Sequence, residues 1–225
     1  RGRTVEDIDF IIKKKDYAHK QTAKASTDKG TAAHGHVEAF IKNYLDNKTY
    51  ITWTIEDEEV RTSVERFWNW AIDNQVEFVG TEISVYSRKH WFAGSFDFIC
   101  KINGKLLLGD FKTSKQIDDT YFAQGAGYII AVEELDPELK FDGVVVVRST
   151  LAKEDKVWYQ KSSNGKAKKM VQPAFEVAYR YDLEREKAYF LSLLNIYRYG
   201  REQDVKVWYE APVVDFTAED YPVGS

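Results

Sequence analysis

The stretch that most limits how this chain can fold is a pair of apolar runs, Phe92 to Ile102 and Lys105 to Phe111, separated by Asn103-Gly104. Asn-Gly tolerates the positive φ angles that a tight hairpin turn requires, so the runs read as two antiparallel strands lying side by side. Asp97 sits inside the first strand and Asp110 ends the second, with Lys112 two residues beyond. A strand alternates faces with period two, so Asp110 and Lys112 point the same way. An acid on an otherwise apolar, buried strand is costly unless its charge is paired or metal-bound. Two carboxylates and an ammonium facing one spot suit a divalent cation and an activated water. The competing reading is a hairpin with solvated end charges and a surface lysine.

An acid-x-Lys triplet alone says little, because it recurs at Glu138-Leu139-Lys140, Glu154-Asp155-Lys156 and Asp204-Val205-Lys206. Only Asp110 follows a run like Leu106-Leu107-Leu108, and only Asp110 has a second aspartate across an Asn-Gly turn.

Gly94-Ser95-Phe96-Asp97, Asp110-Phe111-Lys112-Thr113 and Gln124-Gly125-Ala126-Gly127-Tyr128 together resemble the motifs of the PD-(D/E)XK nucleases, in the RecB-like branch of DNA exonucleases. That branch reads G-x-x-D on one strand, D/E-x-K-T on the next and Q-x-x-x-Y on the following helix. Phe96 stands where the superfamily's proline would be, a replacement common in this branch. Gly30-Thr31-Ala32-Ala33-His34, followed by Glu38, is similar to the branch's G-T-x-x-H and helical glutamate. The resemblance covers residues 28–150. It implies an α/β fold with a restriction-endonuclease-like core, a central mixed sheet flanked by helices in the order αβββαβ. A C-terminal hairpin and helix would extend that core over 151–225, making 1–225 a single nuclease domain.

The implied activity is a metal-dependent DNA exonuclease in recombination, repair or phage DNA processing, leaving 5′-phosphate and 3′-hydroxyl products. By the same resemblance His34, Asp97, Asp110 and the main-chain carbonyl of Phe111 hold one or two Mg²⁺ or Mn²⁺ ions. Lys112 stabilises charge on the scissile phosphate, and Gln124 and Tyr128 contact the substrate backbone or orient Lys112 and the attacking water. The implied partner is DNA, single-stranded or a duplex end. No helicase motif is present, so an unwinding or recombination partner is a separate chain. Two other classes stay open: a catalytically inactive nuclease-like module that binds DNA or a protein, and a different metal hydrolase with the same acid pair.

The other segments supply the frame. Val37, Phe40, Ile41, Tyr44 and Leu45 fall at helical spacing, as do Val60, Val64, Phe67, Trp68 and Ala71 between Asp57 and Asn74. His36 rivals His34 as a ligand, but about 200° separates them on a helix, so they cannot both face one site. Val76 to Tyr86 alternates as a strand carrying Glu82, which either supports the site from behind its ligands, or binds the water of a second metal, or is an exposed strand charge. A helix from Asp118 to Leu135, capped by Asp118 or Asp119, puts Gln124 and Tyr128 on one face, with Gly125 and Gly127 allowing close approach to a strand or a nucleic acid. Gly143 to Ser149 reads as a buried strand. Residues 156–180 read as one long hairpin, Val157-Trp158-Tyr159 returning through Ala174-Phe175-Glu176-Val177. Its tip, rich in Lys161, Lys166, Lys168 and Lys169, either holds DNA or is simply solvated. Asp182 caps a last helix ending at Gly200, whose stripe of Tyr189, Phe190, Leu193 and Tyr197 reads as core.

Residues 5–25 read as a helix with Ile8, Ile11 and Ile12 inside and Lys13, Lys14 and Lys15 exposed, and the last 25 residues, with Trp208, as a packed extension. The missing initiator methionine suggests a trimmed or partial N-terminus. With one cysteine, Cys100, an internal disulfide and a cysteine-ligated cluster of the kind some RecB-like relatives carry are excluded. A formal charge of −4 argues mildly against DNA binding, although what matters is where the 32 basic residues lie. No signal peptide or membrane-length run is present, so a cytoplasmic location is expected, that of a host cell if the chain is phage-encoded.

Overall fold

Asn103 and Gly104 both take positive φ, 52° and 76°, and close the hairpin that the sequence predicts. The structure, a computed structural model, describes residues 27–161 and 167–209. A helix over residues 27–47 (α1) and a second, α2 (Glu58–Asp73), precede three antiparallel strands, β1 (Glu77–Ser87), β2 (Phe92–Ile102) and β3 (Lys105–Lys112). Helix α3 (Asp119–Leu135) then crosses to β4 (Gly143–Ser149), which pairs parallel with β3. A ribbon of β5 (Lys156–Lys161) and β6 (Ala167–Gln172) follows, then β7 (Phe175–Arg180) and a long helix, α4 (Glu184–Tyr209). The central sheet runs β1-β2-β3-β4-β7. A mixed five-stranded sheet with helices on both faces makes the protein α/β, with the core architecture expected of a restriction-endonuclease-like fold.

The helices form where the periodicity places them. Asp57 caps α2 by accepting from the Glu59 and Val60 amides, and Asp118 caps α3 by accepting from Thr120 N at 2.9 Å. One face of the sheet packs on α1 and α2 through Phe40, Phe67, Phe78, Phe98, Phe111 and their neighbours. The other packs on α3 through Phe96, Leu108, Phe122, Ile129, Val144 and Val146. Phe67 is central to the first layer, with its ring within 6.2 Å of those of Phe40, Trp70, Phe78, Phe98 and Phe111. Ser63 and Ser149, both fully buried, each donate a hydroxyl to the other's carbonyl at 2.8 Å, fastening α2 to the end of β4. Cys100 is buried in the same layer, which pushes its thiol pKa up and makes it a packing residue.

Three expectations are corrected. The strand that returns from β5 is 167–172, whereas 175–180 leaves the ribbon and pairs antiparallel with β4 as the fifth sheet strand. Pro173 lies between them, and with no N–H to donate it is a natural break in a ladder. Gly200 does not end α4, which continues to Tyr209. A helical glycine costs about 1 kcal/mol, and here the helix is held two residues earlier by Arg198, which donates to the carbonyls of His90 and Trp91. The α4 stripe is not core either, since Tyr189, Leu193 and Tyr197 are exposed and only Phe190 is drawn in, against Phe92. The readings for residues 5–25, for the side chains of Lys161 and Lys166, and for Trp208 and residues 210–225 lie outside the described residues.

Phe67→Ala should lower stability by about 3–5 kcal/mol, as deletion of a buried aromatic from a close-packed core does, whereas Phe67→Leu should cost much less. Denaturant unfolding of the two variants measures the difference.

Candidate active site

The candidate residues meet where the sheet forks. The β2–β3 ladder extends only from Ile102–Lys105 to Phe98–Gly109, while β3 keeps pairing with β4 through Lys112. Beyond Gly109 the side of β3 that faced β2 has no strand partner, and the Asp97 carboxylate fills that role, Phe111 N donating to Asp97 Oδ2 at 2.6 Å. Strand alternation also breaks at Asp97. Phe98 belongs to the α1–α2 layer and Phe96 to the α3 layer, although two residues in a regular strand share a face. Across from Asp97 on β1, Glu82 takes φ +51°, a conformation uncommon for a side chain other than glycine and concentrated at functional sites.

Along β3, Phe111 points into the α1–α2 layer, while Asp110 and Lys112 lie on the α3 side. Lys112 Nζ donates to Asp110 Oδ1 at 2.7 Å and stands 5.1 Å from the centre of the Tyr121 ring. Asp110 is only 7% exposed, and its Oδ2 is buried with no hydrogen-bond partner. Burial pushes its carboxyl pKa up to about 6, Asp97 adding to the rise and Lys112 opposing it. On α3 the exposed Gln124 donates Nε2 to the Tyr128 hydroxyl at 2.9 Å. Tyr128 is itself half-buried over β2, and a Cβ on Gly94 would lie 2.5 Å from its ring, which explains the glycine of the G-S-F-D segment. Gly125 and Gly127 serve packing rather than nucleic acid, since a Cβ there would meet Val144 at 2.9 Å and Phe190 at 2.6 Å.

From the opposite side α1 brings His34, its ring edge-on to Phe111 at 5.1 Å and its Nδ1 3.6 Å from Asp97 Oδ1. His36 points elsewhere and accepts from Trp53 Nε1 at 3.3 Å, so of the two histidines only His34 reaches the acids. His34, Glu38, Thr81, Glu82 and Asp97 line one crevice. Glu82 is therefore an exposed residue beside the site, with its pKa raised first by desolvation and then by Asp97 and Glu38. Glu38 also pairs with Lys42.

Among the described residues no three His, Cys, Asp or Glu side chains are already gathered as a metal cluster. Asp110 Oδ1 is engaged by Lys112 and Asp97 Oδ2 by the Phe111 amide. Asp97 Oδ1, facing His34, and the unpartnered Asp110 Oδ2 are the carboxylate oxygens left over. Oxygen donors with one imidazole are the set that suits Mg²⁺ or Mn²⁺, so the residues present fit such an ion.

Sequence reasoning passed over Arg148. It is fully buried on β4 beside Lys112 and pairs with Glu176. It also donates to the carbonyls of Lys115 at 3.3 Å and Pro173 at 2.7 Å. A lone charge closing a valine strand was the available signal, the same one that marked Asp110. Also unforeseen is a groove of about 400 Å³ between α3 and α4, lined by Tyr121, Gln124, Phe190, Leu193 and others.

No protein-family model matches the chain, and no curated protein matches it. Among solved structures it is similar to a Eubacterium rectale protein named "Putative exonuclease", with a TM-score of 0.45 and 10% identity. The match covers 77% of this chain and 66% of that one, so it spans less than two thirds of that protein's length.

Asp110→Asn should make the protein more stable at neutral pH. The folded carboxyl has a pKa of about 6, above the ordinary 3.8, so the native state holds the proton more tightly and loses stability as pH rises through that window. Removing the charge should recover on the order of 1–3 kcal/mol at pH 7, the gain shrinking as pH falls toward 4. Thermal unfolding of both proteins across that range checks the sign.

Proposed function

We propose that the protein is a metal-dependent DNA nuclease, acting as an exonuclease, with the fork of β2 and β3 as its active site. The observation that carries this reading is the Asp110 carboxylate, buried beside Lys112 Nζ at 2.7 Å with its second oxygen unpartnered. A carboxylate kept at that cost to stability is expected where it is used in binding or chemistry.

His34, Asp97, Asp110 and the main-chain carbonyl of Phe111 would hold one or two Mg²⁺ or Mn²⁺ ions. A bound divalent cation supplies Lewis acidity toward a phosphoryl oxygen and lowers the pKa of water. The protein's own groups do the rest. The Phe111 amide holds Asp97 in one orientation, leaving Oδ1 toward His34. Lys112 keeps an ammonium at the site, where it offsets negative charge gathering on a scissile phosphate. Tyr128 accepts from Gln124, so its own O–H proton is free to donate to a phosphate oxygen of the strand. The exposed Gln124 amide adds a second donor on the same helix face. Products would be a 5′-phosphate and a 3′-hydroxyl, and the biological setting recombination, repair or phage DNA processing.

Asp110→Ala and Lys112→Ala should each abolish Mg²⁺- or Mn²⁺-dependent cleavage of labelled single- and double-stranded DNA, and EDTA should abolish it in the unsubstituted protein. Circular dichroism should show both variants folded. Full activity in both would sink the nuclease assignment, and absence of cleavage of any strand by the unsubstituted protein would favour an inactive DNA-binding module.

A further inference from the structure

The β5–β6 ribbon concentrates positive charge on an acidic chain. Residues 156–172 carry five lysines and no acid, against a net charge of −4 for the whole protein. Lys156, Lys168 and Lys169 are exposed, and no carboxylate of the described residues pairs with them. Large apolar side chains are exposed among them, Tyr159 at 70% and Trp158 at 40%. A ribbon that merely kept the protein soluble would carry lysines without leaving aromatic faces in water.

The root of the ribbon is tied to the candidate active site. Gln172 donates its side-chain amide to the Lys115 carbonyl, three residues beyond Lys112. Arg148 bridges the same Lys115 carbonyl to that of Pro173, the residue that ends the ribbon. The register places Trp158 opposite Met170 and Lys156 opposite Gln172, so Lys156, Trp158, Gln160, Lys168 and Met170 share the ribbon face from which Gln172 reaches the loop after Lys112. Tyr159 lies opposite Lys169 on the other face. Six-residue strands extend about 20 Å, so the face of Lys156, Trp158 and Lys168 runs outward from the loop after Lys112.

We propose that the β5–β6 ribbon is an arm that holds single-stranded DNA running past the active site along the face of Gln172, Lys156 and Lys168 taking phosphates and Trp158 stacking on a base. The inference rests on the nuclease reading for its substrate. Lysines beside exposed aromatic rings are the pairing that a single strand uses, because its phosphates and base faces are both accessible. In duplex DNA the bases are already stacked, and phosphate contacts alone would give the aromatic rings no role.

The test uses the full chain in EDTA, so that binding is read without cleavage, with fluorescently labelled oligothymidine and a duplex of equal length measured by anisotropy over a salt series. Substituting Lys156→Gln and Lys168→Gln together should weaken single-strand binding about fivefold at low salt and flatten the slope of log affinity against log salt by about 1.4. Trp158→Ala should weaken it about tenfold with the slope unchanged. Melting temperatures verify folding, and Trp158→Leu, which keeps an apolar strand residue without an aromatic stacking face, carries the same test should the alanine variant misfold. Unchanged affinity and slope in both sets would overturn the proposal. So would an aromatic set that is silent while the lysine set weakens duplex and single strand equally, since that outcome marks a duplex-backbone contact. Cleavage by the unsubstituted protein with Mg²⁺, measured separately, reports on the nuclease assignment alone.

Discussion

The hydrogen bond from the Phe111 amide to Asp97 Oδ2 closes the place where β3 gives up one neighbour and keeps the other. A backbone N–H in a half-buried fork costs about 1–3 kcal/mol if left unpaired, so a side-chain acceptor is required there. Using a carboxylate for it puts a negative charge at the open end of the hairpin with its second oxygen outward. Alternation along β3 then sends Phe111 under His34 and sends Asp110 and Lys112 toward α3. The site thus straddles the sheet, drawing His34 from one layer and Tyr128 from the other.

Two buried charges flank this point, and each costs stability. Asp110 has Lys112 as its ionic partner and one oxygen without any. Arg148 is satisfied by Glu176 and by main-chain carbonyls that belong to the loop after Lys112 and to the end of the ribbon. Those carbonyls lie far apart in sequence, so the guanidinium sets the position of the loop after Lys112 against the segment leading into β7. Glu82, held at positive φ across from Asp97, is a third local departure from regular structure within the same small region. Such departures are tolerated where the surrounding sheet and helices hold them in place.

Much of the frame is legible in the order of residues alone. Asn103-Gly104 announces the turn, Asp57 and Asp118 announce helix starts, and the Leu106–Leu108 run announces a buried strand, because each signal acts through local backbone chemistry. The pairing of Asp110 with Lys112 follows from the strand period. The expectations that fail involve competition between distant partners. The segment 175–180 is as good a partner for β5 as for β4 by composition, and only the valine-rich edge of the sheet decides for β4. The α4 stripe has the spacing of a core face, yet Tyr189, Leu193 and Tyr197 stay exposed.

The sequence by itself determined that a hairpin would carry Asp97 and Asp110 close together, with Lys112 beside the second, since turn chemistry and strand alternation are local. The motif resemblance already favours His34 over His36, but helical spacing does not fix which face of α1 lies over Phe111. Only the tertiary structure brings the His34 imidazole to Asp97. It alone decided that Asp110 would be buried with an oxygen to spare, since burial comes from α3 crossing over β3. And it alone tied the lysine-rich ribbon to the loop after Lys112, through a buried arginine whose contacts lie some 30 residues away along the chain.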